Sequence, residues 1–124
     1  MKTLCTLRDI YRSIRDFEEF FQQKHDLCLN EGMLLCSLKS DKLSSTELAE
    51  MLGLTTSNTS KVIKSVENKG FIDRILGKDD KRQMYFVLTE SGKSKLKVIK
   101  KEEVEITKLL EKIEAVTKIE EMAR

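Results

Sequence analysis

All five glycines of this chain lie between residues 32 and 92, and the sequence contains no proline. Because proline and glycine are the residues that most often break helices, each terminal segment can be helical along its whole length. Apolar residues in both segments recur at three- and four-residue steps, the spacing of one face of an α-helix. The first stripe consists of Leu4, Leu7, Ile10, Tyr11, Ile14, Phe17, Phe20 and Phe21, and the last of Leu96, Ile99, Ile106, Leu109, Leu110, Ile113, Val116 and Ile119. Such wide stripes need a partner, in the same chain or in a second copy.

The stripe of the last segment has a polar interruption, the patch Lys100-Lys101-Glu102-Glu103. One helix, or two helices separated at this patch, both fit the pattern. An unbroken helix of about 30 residues would be about 45 Å long, which exceeds the width of a small domain. A helix that projects so far favours a second copy of the chain as its partner.

The size and hydropathy of the chain exclude membrane proteins. Its 124 residues suffice for one domain with a real core. No apolar run approaches the roughly 18 residues of a membrane span, and charged residues interrupt the N-terminus at once. We therefore expect neither membrane insertion nor export, and a cytoplasmic protein.

The chemistry-bearing residues are too few for an enzyme. The spacings of the three cysteines fit no zinc or redox motif, and the chain has one histidine, so neither a metal nor another cofactor is expected. That residue, His25, is predicted to lie in a surface linker between two helices. Cys28 and Cys36 are predicted to be small buried hydrophobic residues. There is no glycine-rich phosphate loop and no usable triad, so the sequence predicts no enzyme.

The charges are unevenly distributed along the chain. Residues 61–101 hold 12 Lys and Arg against 5 Asp and Glu, a net charge of +7, whereas the remainder carries −5. A basic central segment between acidic terminal segments indicates a surface that binds a polyanion. Ordinary solvated surfaces on both parts of the chain would give the same distribution of charge.

The central region carries helix signals that depend on capping residues. Asn30 is predicted to cap a second, short helix. Ser44 and Glu47 have the spacing of a capping box at the start of a third helix, which Gly53 is expected to end. A fourth helix then follows and is closed by Gly70. Two helices joined by a tight turn form a helix-turn-helix unit.

Strand signals follow the helix pair. Residues 71–76 and 83–88 are rich in β-branched and aromatic residues, and the charged turn 77–82 separates them. They predict a β-hairpin that packs beside the helices, after which Thr89 is expected to cap the last helical segment. Residues 41–43 are interpreted as a short connector. The predicted fold is therefore mainly α with a small antiparallel β-hairpin wing.

A helix-turn-helix followed by a charged wing is a DNA-reading arrangement, with the second helix in the major groove. The start of the fourth helix offers small polar groups, including Thr59, and two lysines follow one turn apart. Each of these residues taken singly is also an ordinary cap or a solvated side chain. The predicted DNA-binding residues are Thr56, Ser57, Asn58, Ser60, Lys61, Lys64, Lys78, Asp80, Lys81 and Arg82.

Residues 80–92 read Asp-x-Arg, five further residues, then Leu-Thr-x-x-Gly. This pattern resembles the wing signature of the MarR family of bacterial regulators, with every fixed position present. Residues 45–54 and 66–72 are similar to that family's helix-turn-helix and to the exit from its second helix.

The resemblance implies a winged helix-turn-helix homodimer that binds double-stranded DNA at a palindromic operator and usually represses. It implies that Arg82 enters the minor groove and that Asp80 orients it. It also implies one domain, 1–124, in which 1–29 and 93–124 dimerise and 30–92 bind DNA. The resemblance allows for a small aromatic or apolar effector, and Cys5 lies near the position of a reactive cysteine in peroxide-sensing members.

Two hypotheses follow for the function. The first is a sequence-specific DNA-binding transcriptional regulator. The second is a winged-helix interaction or assembly module that does not read DNA and uses its apolar stripes to bind partner helices.

Overall fold

The computed structural model describes residues 2–79 and 82–122, with side chains up to residue 119. The chain divides into two compact units, one formed by residues up to 28 together with those from 100 onward, and the other by residues 29–99. In the part of the chain that is described, no helix is long and apolar enough to cross a membrane.

The fold is mostly helical with a small antiparallel sheet, which confirms the predicted class. The helices are α1 Lys2–His25, α2 Leu29–Ser37, α3 Ser45–Leu52, α4 Thr56–Asn68, α5 Glu90–Lys100 and α6 Glu103–Met122. The strands are β1 Leu43–Ser44, β2 Ile72–Leu76 and β3 Met84–Leu88.

The sheet has three strands in the order β1-β3-β2, one more than the predicted hairpin. Leu43 pairs with Phe86 and Ser44 with Tyr85, so the stretch interpreted as a connector ends in an edge strand. A strand of two residues is too short to show an alternating pattern, so its sequence gave no strand signal. Only the pairing with β3 defines it.

The unit of residues 29–99 has an apolar core between its helices and the sheet. The apolar side chains that are buried there are Leu34, Leu35, Leu38, Leu48, Ile63, Val66, Ile72, Phe86 and Ile99. Apart from Leu38, which follows α2, they come from α2, α3, α4, α5 and both long strands, so burial of apolar area holds the helix pair and the wing in one body.

The other unit packs α1 against α6. Phe21 is buried at one end of the α1 stripe, whereas much of both stripes remains exposed. Leu4 is 60% exposed and Tyr11 60%, and on α6 Leu110 is 59% and Ile119 66% exposed. The apolar area of this unit is therefore only partly covered within one chain.

The last segment consists of two helices, so of the two alternatives, one unbroken helix or two separated at the polar patch, the second is correct. Helix α5 ends at Lys100 and α6 begins at Glu103. The carbonyl of Glu102 accepts the first helical hydrogen bond of α6 from the amide of Ile106, at 2.9 Å. The break falls within the polar patch that interrupts the stripe.

The prediction for His25 is wrong. It is the last residue of α1 and is 3% exposed, with its ring 4.9 Å from that of Phe21. Its Nε2 lies 3.1 Å from a carboxylate oxygen of Glu102, which is 2% exposed. The polar neighbours of His25 in sequence suggested a linker, but its partner lies 77 positions away.

Three smaller predictions also need correction. Asn30 lies inside α2, which begins at Leu29, and is not its cap. Cys36 is exposed and Cys28 half-buried, so neither is a buried hydrophobic residue. Leu34 and Leu35 are buried on one face of α2. Cys36 follows Leu34 by two positions, a rotation of about 200° around the helix, and therefore faces solvent. Cys5 is exposed as well.

Candidate nucleic-acid interface

Helix α3 has the predicted capping residues at both ends. The amide of Glu47 donates to the hydroxyl of Ser44 at 3.2 Å, and the amide of Ser44 donates to the Glu47 carboxylate at 3.0 Å. These reciprocal bonds form the capping box of α3. Gly53 ends the helix with φ 66°, in the left-handed region that glycine tolerates best.

Thr55 caps the second helix of the pair. Its hydroxyl accepts a hydrogen bond from the amide of Asn58 at 3.1 Å. Thr59 is 1% exposed, and its hydroxyl donates to the Thr55 carbonyl at 2.8 Å. Thr59 is therefore part of the internal packing and does not belong with the exposed polar groups where the sequence placed it.

One face of α4 presents the other predicted residues to solvent. All six side chains at the start and middle of the helix are exposed: Thr56, Ser57, Asn58, Ser60, Lys61 and Lys64. Ile63 and Val66 are buried on the opposite face. The amphipathic period of α4 thus separates a polar, basic face from the face that packs in the core.

A polar clamp holds the far half of α4 against α2. Glu31 of α2 is 6% exposed and accepts a hydrogen bond from the Ser65 hydroxyl at 2.8 Å. The ammonium of Lys69 lies 3.0 Å from the same carboxylate oxygen. A buried carboxylate needs such partners, and these two residues fix the rotation of α4 about its axis. No local pattern in the sequence predicts this clamp, because Glu31 and Ser65 lie 34 positions apart.

The wing is an antiparallel pair of strands with a polar tip. Leu76 pairs with Met84 at the outer end, and the amide of Gly77 donates to the Gln83 carbonyl at 2.8 Å. Lys78 and Arg82 are exposed near the tip. The predicted residues Asp80 and Lys81 lie outside the described residues.

An ion pair joins the wing to α4. Arg74 of β2 donates from Nε to Glu67 Oε2 at 2.7 Å and from Nη2 to Oε1 at 2.8 Å. The hydrogen bond from Arg74 lowers the pKa of Glu67 below its ordinary value, and their opposite charges add to it, whereas burial acts the other way. Arg74 was not among the predicted DNA-binding residues. Its one signal in the sequence is that a charged residue stands two positions after Ile72, on the same face of the strand as that buried side chain.

The arrangement suits binding of a polyanion through exposed donors. Among the described residues, no cluster of three or more His, Cys, Asp or Glu side chains is placed to hold a metal ion. Helix α4 and the wing, which carry these Lys and Arg residues, belong to one compact unit, 29–99.

Comparison with known proteins agrees with this geometry. Residues 29–84 match the model of the MarR family. The HTH-type transcriptional regulator SarZ of Staphylococcus haemolyticus is 29% identical over 74 residues, which are 59% of this chain and 50% of SarZ. A riboflavin kinase of Archaeoglobus fulgidus is 38% identical over 65 residues, 52% of this chain and 27% of the kinase. The matches thus span half or less of these relatives.

Solved structures of regulators have the same fold along nearly the whole chain. The transcriptional regulator BldR from Sulfolobus solfataricus has a TM-score of 0.75 at 24% identity, covering 98% of this chain and 86% of its own. The MepR–DNA complex of S. aureus has a TM-score of 0.67 at 21% identity, covering 95% and 98%. At identities below 25%, this likeness shows the shared fold.

Proposed function

Because residues 29–84 match the model of the MarR family, we propose that the chain is a sequence-specific DNA-binding transcriptional regulator of that family. One observation supports this most directly. The second helix of the helix-turn-helix unit turns an uninterrupted polar and basic face to solvent, in the same compact unit as a basic wing. MepR, which shares this fold at low identity, has been crystallised with DNA.

In this proposal α4 enters the major groove and its residues have different roles. The amide of Asn58 can donate to and accept from an adenine edge, which is a base-specific contact. The ammonium groups of Lys61 and Lys64 neutralise phosphates and add affinity without sequence preference. The Glu31 clamp at the other end of the helix keeps this face pointing outward.

The wing reaches the neighbouring minor groove in the same proposal. Arg82 is an exposed cation near the tip, and a guanidinium is favoured in the negative potential of a narrow minor groove. Lys78 adds a phosphate contact. The roles of Asp80 and Lys81 rest on the family resemblance alone.

We also propose that the active species is a homodimer on a palindromic operator. Much of the α1 stripe and part of the α6 stripe stay exposed in one chain, and a second copy is the simplest way to cover them. This assigns the residues of 1–29 and 93–124 to dimerisation and 30–92 to DNA binding, in a cytoplasmic repressor. Release by a small aromatic or apolar effector is part of the same proposal and is tested by adding candidate compounds to the complex.

The test is a fluorescence anisotropy titration at two salt concentrations. The probes are DNA from upstream of the protein's own gene and a duplex selected by the protein from a random library. We expect saturable binding whose log K falls by roughly 0.9 per neutralised phosphate for each tenfold rise in salt. Arg82→Ala should weaken it by about 1–3 kcal/mol, with Lys93→Ala, an exposed lysine of α5, as the charge-matched control.

The alternative function, an assembly module, predicts a different outcome. A folded dimer that selects no duplex from the library, even at low salt, would replace DNA reading with partner binding through the apolar stripes. Equal losses in Arg82→Ala and Lys93→Ala would remove Arg82 from the interface and leave the rest of the proposal standing.

A further inference from the structure

A small cleft opens between α4 and the wing. Its volume is about 180 Å³, and it is lined by Ser45, Ser60, Ile63, Arg74, Met84 and Phe86. Ile63 and Phe86 are 3% exposed each and form an apolar floor. The two serine hydroxyls and the guanidinium supply donors, and of the described residues that line the cleft, Arg74 is the charged one.

Arg74 is held in a defined orientation within this cleft. Its Cζ atom lies 5.3 Å from the centre of the Phe86 ring, directly across the sheet on the neighbouring strand. Glu67 accepts one hydrogen bond from Nε and one from Nη2 of Arg74, in a bidentate pair. A guanidinium has five N–H groups, so this one retains donors for a second acceptor after Glu67 is satisfied. The Phe86 ring on one side and the Glu67 carboxylate at one edge thus set the plane of the guanidinium.

We propose that this cleft binds one DNA phosphate, with Arg74 as its cationic ligand and Glu67 as the residue that positions Arg74. The inference rests on the proposed function. When one helix lies in a major groove and its wing in the adjacent minor groove, the sugar-phosphate strand between the grooves runs between helix and wing. In this protein that path is the cleft.

The chemistry of the lining fits a phosphate better than a base. A guanidinium binds phosphate oxygens in a fixed fork, and hydroxyls such as those of Ser45 and Ser60 donate to phosphates without reading sequence. Met84 is 36% exposed at the outer end of the lining, next to its strand partner Leu76 at 57%. These apolar side chains suit contact with the deoxyribose that flanks the phosphate.

The alternative interpretation is that Arg74 and Glu67 form only a surface ion pair, which holds the wing against α4. Arg74 and Glu67 side chains are 53% and 22% exposed, and a pair so accessible to water adds little to stability. Bracing alone would make Arg74 dispensable for DNA affinity once the protein is folded. The two interpretations therefore differ in a measurable quantity, the coupling of Arg74 to one phosphate.

The experiment uses the full chain and the duplex selected from the random library. Single phosphates along each half-site are replaced one at a time by neutral methylphosphonates, and affinity is measured for the native protein and for Arg74→Gln. Lys93→Gln is the matched control, since Lys93 also pairs with a glutamate, Glu90, at 3.4 Å on the same unit. Thermal unfolding of each variant confirms that it is folded.

We expect one methylphosphonate position per half-site to weaken native binding about tenfold, because it removes a charge-assisted bond. In Arg74→Gln that same substitution should have no further effect, and the salt slope should fall by about one relative to the native protein. Lys93→Gln should leave the phosphate profile unchanged. Glu67→Gln keeps Arg74 but should spread its effect over neighbouring phosphates, a change that wing bracing would not produce.

Two results would overturn the proposal. If native protein binds DNA and Arg74→Gln keeps the whole methylphosphonate profile, the cleft holds no phosphate, while the regulator function stands. If native protein selects no duplex at all, the regulator function fails and this inference fails with it. Should Arg74→Gln be unfolded, Arg74→Lys replaces it, and an unaltered phosphate profile in that variant would overturn the fork geometry.

Discussion

The Glu102 carboxylate lies 3.1 Å from Nε2 of His25, although 77 residues separate the two positions in the chain. The same carboxylate oxygen lies 2.6 Å from the ammonium of Lys24. Both partners belong to the last turn of α1, where cations also stabilise the helix through its dipole. Glu102 itself stands at the break between α5 and α6. One buried carboxylate thus fixes the junction of the last two helices to the end of the first.

We expect Glu102→Gln to destabilise the protein by about 1–3 kcal/mol, the range for a lost charge-assisted hydrogen bond. Glutamine keeps the shape of the side chain but not the charge. The cost stays below that of a fully buried pair because Lys24 is 54% exposed and can be solvated. Urea unfolding followed by circular dichroism at one fixed protein concentration measures the change. The exposed neighbour Glu103→Gln is the control, and equal effects of both substitutions would contradict the prediction.

The surroundings of Glu102 also predict how the stability of the protein depends on pH. The hydrogen bond from Lys24, aided by that from His25, holds the pKa of Glu102 below its ordinary value of 4.5, against burial, which raises it. A carboxyl whose pKa is lowered by folding stabilises the protein above its unfolded pKa and loses that contribution as the pH falls through the folded value. Native unfolding free energy should therefore decline below about pH 4.5, and less steeply in Glu102→Gln. Parallel declines in the two proteins would exclude Glu102 as the source.

Gly92 should not tolerate a side chain. A Cβ there would stand against the carbonyl oxygen of Phe71 and 3.3 Å from Leu88 Cδ2. Gly92→Ala is expected to cost about 3 kcal/mol, the upper range for overpacking, because backbone must move. Gly53→Ala is the comparison, since a Cβ at that position meets nothing within 4 Å and its φ of 66° alone should cost about 1 kcal/mol. Thermal melts of the two variants compare their losses of stability. A smaller loss in Gly92→Ala than in Gly53→Ala would contradict the prediction.

Asn58 and Lys64 should affect DNA binding in different ways if α4 reads the major groove. Asn58→Ala is expected to relax preference at one base position in each half-site by about 1–3 kcal/mol, through the lost bidentate contact. Lys64→Ala should weaken all duplexes about equally and lower the salt slope by about one. Competition binding with a set of single-base variants measures both effects. A uniform loss in Asn58→Ala would show that this residue does not read a base.

Local signals in the sequence determined much of this fold. The helical period of α1 and α6, the capping box of Ser44 and Glu47, and the left-handed Gly53 depend on residues within one or two turns of each other. Thr89 caps α5 as predicted, with its hydroxyl accepting from the amide of Gly92 at 3.0 Å. Interactions of such short range leave a pattern in consecutive residues, which is why a single chain suffices to read them. The wing pattern belongs to the same class, because its two strands are joined by a short turn.

Tertiary structure alone decided the remaining features. The edge strand β1 exists because it pairs with β3, and His25 is buried because Glu102 meets it from another helix. The pairing of Arg74 of β2 with Glu67 of α4 is of the same kind. In each case a polar group finds its partner on a different element, and neither residue type nor spacing predicts which partner that will be. The sequence by itself therefore determined most of the helices, the two long strands and the candidate DNA-binding face. The edge strand and the buried polar contacts were decided by packing, because buried charges must find partners wherever the fold brings them.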